Sequence, residues 1–171
     1  MPKNTTAAPK SRYQARREAL GLSREKASEL LETISPERLE RIETGKYPAY
    51  PDEVLNLADK YHDPQLCNHY CSSECAIGKK YVPKVEVKHL SQIVLEILAS
   101  LNSVKNQQER LIDITADGRI SGDEIADFVS IQKELEKISL TVESLQLWAE
   151  QKIANGEIDL DAYHAAMDAA T

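Results

Sequence analysis

Residues 16–46 read RREALGLSREKASELLETISPERLERIETGK, and this stretch decides the fold of the N-terminal part of the chain. Ser23 is a good helix N-cap, and apolar residues recur at helical spacing from Ala27 onward, which predicts a short amphipathic helix. Ser35 and Pro36 begin a second helix, because serine is a favoured cap and proline is tolerated at the first helical position. The sequence therefore predicts two short helices joined by a tight corner.

The second helix has both a buried stripe and a defined end. Leu39 and Ile42 lie at helical spacing and are expected to face the core. Gly45 follows the last turn, where a residue just past the helix adopts the left-handed conformation without a Cβ clash. Two short helices joined in this way predict a helix-turn-helix motif.

A more specific pattern runs through the same stretch. It consists of Arg17-x-x-x-Gly21-Leu22-Ser23, Ala27-x-x-Leu30, Ile34-Ser35 and Arg41-Ile42-Glu43-x-Gly45-Lys46. This pattern resembles the Cro/cI-type (XRE) helix-turn-helix regulators over roughly Arg12 to Pro64. The resemblance implies a lambda-repressor-like bundle in which the helix begun by Ser35 is the recognition helix.

The resemblance also implies a DNA-binding surface. In such a surface, the residues that face the major groove are Pro36, Glu37, Arg38 and Arg41, and those that contact phosphates are Arg24 and Lys46. Two features depart from the family pattern. The usual glycine of the turn is absent and Glu32-Thr33 lengthen it, and the recognition helix carries Glu37, Glu40 and Glu43 beside its arginines. Protein-directed binding therefore remains an alternative to DNA binding.

The distribution of charge supports a DNA-binding N-terminal part followed by an acidic C-terminal part. The 171 residues carry a net charge of −7, but residues 1–50 hold ten Lys/Arg and seven Asp/Glu, whereas residues 51–171 hold eleven and twenty-one. Phosphate repulsion would keep the acidic part off a duplex. Gly and Pro are few, and Leu, Ala, Glu and Lys are common, which is typical of an all-α protein.

Several classes of protein are not indicated. No apolar run is long enough for a membrane span, and no signal-peptide core follows the basic N-terminus, so we expect no membrane association and a cytoplasmic location. The four histidines lie in unrelated contexts and no phosphate-cradling glycine-rich loop is present. The sequence therefore predicts no enzyme.

The predicted domain order has four parts. Residues 1–11 are expected to be a disordered tail, and residues 12–65 the helix-turn-helix domain, in which Asp52 is expected to cap a further helix. Residues 66–84 form a connector that contains cysteines, and residues 85–171 a helical oligomerisation or regulatory domain.

The connector is a candidate metal site. Cys67, Cys71 and Cys75 are spaced four and four, so a helix would place their sulfurs along one stripe. Such a row can ligate zinc or an iron–sulfur cluster if a fourth ligand arrives from elsewhere. The alternative is that the three cysteines are buried as small apolar residues.

The C-terminal part shows heptad spacing in two long segments. One predicted seam contains Leu90, Val94, Ile97, Leu101, Val104, Gln108 and Leu111; the other contains Phe128, Ile131, Leu135, Ile138, Val142, Leu145 and Trp148. They predict a long antiparallel hairpin, with Ile93, Leu98 and Val129 outside the shared stripe. Because a hairpin cannot cover stripes this wide, a second copy of the chain is the expected partner. The alternative is that the last segment, around Tyr163 and Met167, folds back and closes a monomeric three-helix bundle.

The loop from Asp113 to Glu124 resembles an EF-hand calcium loop. Oxygen-bearing residues occur at positions one, three, five, nine and twelve, and Gly118 stands at position six. The alternative is that the loop only makes the turn and that Ser121 and Asp159 cap the following helices. The leading functional hypothesis is a dimeric, sequence-specific transcriptional regulator that binds double-stranded DNA; the rival is a protein-interaction adaptor or antirepressor that keeps the fold.

Overall fold

The chain is all-helical. A computed structural model describes residues 9–170, and over this range it contains ten helices and no strand. The helices are α1 (Arg12–Ala19), α2 (Arg24–Leu31), α3 (Pro36–Glu43), α4 (Pro51–Lys60), α5 (Gln65–Ser73), α6 (Gly78–Tyr81), α7 (Leu90–Asn106), α8 (Gln108–Thr115), α9 (Ile125–Ala154) and α10 (Leu160–Ala169). The predicted fold class is confirmed. Over this same part of the chain, no helix is both long enough and apolar enough to cross a membrane.

The predicted capping residues set the limits of α2 and α3. The hydroxyl of Ser23 accepts a hydrogen bond from the backbone N–H of Lys26 at 3.3 Å, and that of Ser35 accepts one from Arg38 at 3.2 Å. Gly45 has φ +68°, the left-handed conformation expected just past the end of α3. Local sequence signals are therefore sufficient to place these two helices.

The start of α4 differs from the prediction. Asp52 lies inside the helix rather than at its cap, because Pro51 occupies the first helical position and Tyr50 is the N-cap. The backbone N–H of Tyr50 donates to the carboxylate of Glu53 at 2.7 Å. Proline fixes the φ angle required at the first helical position, which explains why the helix begins two residues earlier than predicted.

The chain divides into two compact units. The first comprises the chain up to Lys84 together with the segment from Gln151 onward, and the second is Val85–Glu150. The predicted tail at residues 1–11 lies mostly outside the described residues. Its last part is ordered around α1, where Ser11 accepts a hydrogen bond from Gln14 N–H at 3.2 Å and the Lys10 ammonium contacts Glu18 at 2.5 Å.

The core of the first unit is formed by α1 to α5. Its buried members are Tyr13, Ala27, Leu31, Ile34, Leu39, Ile42, Ala49, Val54, Leu57, Ala58, Tyr61 and Leu66. Cys67 and Tyr70 pack against the same cluster. The helix α5, which carries Cys67 and Cys71, therefore packs directly on the core residues of α1 to α4.

The second unit has a different register from the predicted one. Ile93 is fully buried, although it was expected outside the seam, whereas Leu90, Val94 and Leu101 are exposed. The predicted continuous helix also breaks at Gln107, between α7 and α8. Apolar residues surround α7 on nearly every side, so their spacing alone cannot select the face that turns inward.

The long helix α9 repeats this difference. Ile131 is buried as predicted, but Leu135 and Val142 are exposed and the small polar residues Thr141 and Ser144 are buried instead. The hydroxyls of these two residues donate to helix carbonyls one turn earlier at 2.8 Å, which satisfies them without a partner helix.

The loop before α9 uses its carboxylates for turn formation. Asp113 lies within α8, the Asp117 side chain accepts from Arg119 N–H at 2.9 Å, and Glu124 accepts from both the N–H and the hydroxyl of Ser121 at 2.9 and 2.5 Å. Ser121 thus donates to Glu124, whereas Asp159 caps α10 as predicted, accepting from Ala162 N–H at 2.7 Å.

Candidate nucleic-acid interface

The corner between α2 and α3 is a tight turn centred on Glu32. This residue has φ +60° and ψ −40°, and the N–H of Thr33 donates to the carbonyl of Leu31 at 2.6 Å. A hydrogen bond between residues two apart around a positive φ defines a γ-turn of the strained kind. The missing glycine of the family pattern is therefore replaced by a non-glycine residue that adopts an unfavourable conformation.

Side chains from outside the corner hold it in place. The amide of Asn56, on α4, donates to the carbonyl of Leu31 and to the hydroxyl of Thr33, both at 2.8 Å. The hydroxyl of Ser28 donates to the carbonyl of Ile34 at 2.7 Å. These bonds tie α2, the corner and α4 together and so fix the angle at which α3 leaves the corner.

A buried ion-pair cluster, formed by Glu43 with Arg17 and Arg24, ties α3 to α1 and α2. Arg17 donates to the two Glu43 oxygens at 2.6 and 2.9 Å, and Arg24 donates to one of them at 2.9 Å. The Glu43 side chain is fully buried, and the hydrogen bond to it raises the pKa of Arg17. Glu43 therefore lies in the core rather than on the recognition face, which removes one of the three acidic residues expected there.

Arg38 is also engaged within the protein. Its guanidinium donates to both oxygens of Glu53 at 2.6 Å and to the carbonyl of Pro48 at 2.9 Å, and it lies 4.8 Å from the centroid of the Tyr50 ring. Burial opposes ionisation of Glu53, but the hydrogen bonds from Arg38 and from Tyr50 N–H outweigh it and lower the pKa of that carboxyl. Arg38 thus fastens α3 to the start of α4.

The exposed side of α3 presents a mixed set of groups. Arg41 is exposed and lies 5.6 Å from the centroid of the Tyr47 ring. Glu37 accepts a hydrogen bond from Ser35; its own backbone N–H and this hydroxyl lower its pKa, so it stands ionised near the start of the helix. Glu40 and Lys46 form a long ion pair of 3.6 Å.

The six predicted DNA-binding residues therefore fall into two groups. Arg24 and Arg38 are held by carboxylates of the same unit, whereas Pro36, Glu37, Arg41 and Lys46 lie along α3 and just beyond its end. Among the cations of α2 and α3, Lys26 and Arg41 are the two that form no ion pair with a described carboxylate. The sequence reasoning missed Asn56 and the ion-pairing roles of Arg17 and Glu53, since nothing local to those residues signals their distant partners.

The comparison with protein families agrees with this arrangement. Residues 14–65 match a family model described as a helix-turn-helix domain. This segment is a helix-turn-helix domain. Comparisons of the chain with curated proteins and with solved structures found no match.

The charge of the helix-turn-helix domain itself differs from that of the N-terminal part of the chain. Residues 14–65 contain eight Lys/Arg and eleven Asp/Glu, a net charge of −3. Residues 1–50 have a positive excess for two reasons. They include Lys3, Lys10 and Arg12, which precede the domain, and they leave out residues 51–65, which hold four Asp/Glu and one Lys. The domain that matches the family therefore has no overall attraction for phosphate.

The cysteine row, a candidate metal site in the sequence, lies along α5 and the turn that follows it. Cys67, Cys71 and Cys75 are half-buried, and across residues 9–170 no group of three or more His, Cys, Asp or Glu side chains is arranged to hold a metal ion. The Cys75 sulfur accepts a hydrogen bond from Gly78 N–H at 3.4 Å. These contacts fit the packing alternative, in which the thiols fill space between α5 and its neighbours.

Proposed function

We propose that this protein is a sequence-specific DNA-binding transcriptional regulator of the Cro/cI (XRE) type that acts as a homodimer and has no catalytic activity. The observation that carries the proposal is the fixed geometry of α2 and α3: the Glu43 cluster and the Asn56 contacts hold the two helices, while the outer side of α3 stays open. A helix-turn-helix reads DNA by placing the N-terminal residues of its second helix against base edges in the major groove.

The open side of α3 supplies distinct recognition chemistry. Arg41 is the long donor suited to guanine or to a phosphate, and the ionised Glu37 is an acceptor suited to the cytosine amino group. Pro36 would lie against the groove between them, and Lys26, Lys46 and Arg24 would approach phosphates. Arg38 acts as a positioning residue in this scheme, because its guanidinium is held by Glu53.

Selection from a random duplex library, followed by fluorescence anisotropy on the selected site, tests this proposal. We expect enrichment of a motif and an affinity that falls steeply with salt. Arg41→Ala should weaken binding and relax the preference at one position by about 1–3 kcal/mol, whereas Lys133→Ala, in the acidic helical part, should have no effect. No enrichment and no salt-dependent binding to any duplex would overturn the proposal.

The charge balance favours a second candidate, a protein-interaction adaptor or antirepressor. A net charge of −3 over residues 14–65 suits a basic protein surface better than a polyanion. The same titration separates the two functions, since an adaptor would bind random duplex weakly and with no dependence on Arg41.

Exposed apolar side chains in the second unit support the dimer. Leu95, Leu98 and Leu101 on α7 are 67%, 53% and 50% exposed, and Leu135 and Val142 on α9 are 46% and 45% exposed. Leaving such faces in water forfeits roughly 25 cal/mol for each Å² of apolar surface. Contiguous apolar faces of this kind mark association surfaces, and most soluble oligomers are symmetric dimers.

Sedimentation equilibrium of the full chain tests the dimer at tens of micromolar. We expect twice the chain mass for the wild type and a shift towards monomer for Leu98→Glu. Ser91→Glu adds the same charge at an exposed polar position of α7 and serves as the control. A monomeric wild type at this concentration would exclude the dimer.

A further inference from the structure

A second group of cations lies outside the helix-turn-helix domain. Lys79 and Lys80 are in α6, and Lys84 follows Pro83; all three side chains are exposed. None of the three forms an ion pair with a carboxylate of the described residues. We call these three lysines the α6 basic patch.

The segment that contains this patch has a net charge of opposite sign to that of the helix-turn-helix domain before it. Residues 66–84 carry three lysines and one glutamate, a net charge of +2, whereas residues 14–65 carry −3. In the helix-turn-helix domain, Arg17, Arg24 and Arg38 are all paired with carboxylates. The three lysines of the patch therefore add to Lys26 and Arg41 as exposed cations of the first unit that form no ion pair with a described carboxylate.

The α6 basic patch is rigidly attached to the helix-turn-helix domain. A Cβ atom at Gly78 would lie 2.0 Å from the backbone oxygen of Cys71, so α6 approaches α5 more closely than any side chain allows. The amide of Asn68 donates to the carbonyl of Pro83 at 3.1 Å, which fixes the chain after α6. Since Leu66 of α5 is buried in the core of the domain, the patch and α3 belong to the same compact unit.

Positive charge extends from the patch towards the start of α1. Desolvation lowers the pKa of His69, the nearby carboxylate of Glu74 opposes this shift, and the positive charges of Arg12 and Lys84 add to it. The exposed Tyr81 ring, 71% exposed and 5.3 Å from the ammonium of Lys80, adds a hydroxyl that can donate to a phosphate. The surface around α6 thus presents several donors, and the acidic residue of this segment, Glu74, lies 3.3 Å from the His69 ring.

We propose that the α6 basic patch binds the phosphate backbone of the same DNA duplex that α3 reads, at a position flanking the base contacts. The inference rests on the proposed function, because it requires the helix-turn-helix domain to engage DNA. It explains how a domain of net charge −3 can be held on a polyanion: the attraction is supplied by a rigidly attached neighbour of opposite charge.

The test compares two double variants that change the net charge equally. Lys79→Gln/Lys80→Gln removes two cations of the patch, and Lys105→Gln/Lys133→Gln removes two exposed cations from the second unit. Glutamine and lysine have similar helix propensities, so both variants should keep the far-ultraviolet circular dichroism of the wild type. Binding is measured by fluorescence anisotropy on the selected duplex at salt concentrations from about 0.05 to 0.3 M, which span physiological ionic strength.

If each lysine neutralises one phosphate, the slope of log K against log salt should fall by about 2 for the patch variant and stay unchanged for the control. At about 0.1 M salt this corresponds to roughly 60-fold weaker binding. Hydroxyl-radical footprinting should show the loss of one protected backbone segment beside an unchanged central footprint, with the selected motif retained.

An unchanged slope and footprint in the patch variant, with wild-type binding intact, would overturn this inference and leave the proposed function standing. Equal losses in the two double variants would overturn it as well, because they would reflect net charge rather than position. Failure of the wild type to bind any duplex would instead refute the proposed function and this inference together.

Discussion

Replacing Glu43 by alanine removes the carboxylate on which two arginines converge. The Arg17 side chain is 7% exposed and the Glu43 side chain 0% exposed, and they are joined by two hydrogen bonds of 2.6 and 2.9 Å. Without Glu43, the buried Arg17 guanidinium keeps only the Leu22 carbonyl at 2.6 Å and a long pair with Glu18 at 3.9 Å, and breaking such a buried pair costs about 3–5 kcal/mol. For a domain of this size, about 4–8 °C of melting temperature is lost per kcal/mol, so we expect the melting temperature to fall by roughly 15 °C or more.

Thermal and urea unfolding, followed by circular dichroism, measure this loss. Glu40→Ala is the matched control on the same helix, because its 3.6 Å surface pair with Lys46 is worth at most about 1 kcal/mol. In the double variant Arg17→Met/Glu43→Leu, no unpaired charge is left between the two positions, and most of the stability should return. A Glu43→Ala protein within about 0.5 kcal/mol of the wild type would refute the role assigned to the cluster.

Three further predictions concern the first unit. Glu32→Gly should raise the free energy of unfolding by about 1 kcal/mol, because glycine adopts the positive φ of the γ-turn without strain. The control Glu29→Gly, inside α2, should lower the free energy of unfolding by a similar amount. Urea titrations that rank the two variants the other way would contradict this prediction. Arg38→Ala should destabilise the domain by about 1–3 kcal/mol, because its hydrogen bonds to Glu53 and to the Pro48 carbonyl are lost. Arg41→Ala should leave stability unchanged and weaken DNA binding. Equal unfolding midpoints for the two variants would argue against a positioning role for Arg38 and a DNA-contacting role for Arg41. Burial lowers the pKa of His69 below its usual 6.5, so the unfolded chain binds a proton more readily and stability is full above pH 6.5 and falls as the pH drops through the folded pKa. Urea midpoints from pH 7.5 to 5.5 should therefore decline more steeply in the wild type than in His69→Gln, and parallel curves would speak against a buried neutral imidazole.

The limits of α2 and α3 could be predicted from sequence because their signals are local. Ser35, Pro36 and Gly45 each act within one helical turn of their position, so the ends of α3 follow from residue type alone. The role of Glu32 could not be predicted, because its positive φ is imposed by the packing of α2 and α3 and by the hydrogen bonds that Asn56 makes to the corner.

The candidate site was predicted less well than the fold. Spacing placed Arg38, Arg41 and Glu43 on one short helix but gave no information about which of them faces water. Glu43 is buried and Arg38 is bound by Glu53, so Arg41 remains as the exposed arginine of the predicted surface.

Sequence by itself determined the all-α class, the helix pair at residues 24–43 and the opposite charges of adjacent segments, because these depend on capping, periodicity and composition. Tertiary structure alone decided which charges are available to a ligand. Arg17 and Glu43 are 26 residues apart, and Arg38 and Glu53 are 15 apart, so their pairing depends on how the helices cross. It also decided that Ile93 rather than Val94 turns inward on α7, since a helix that is apolar on nearly every side takes its orientation from its neighbours.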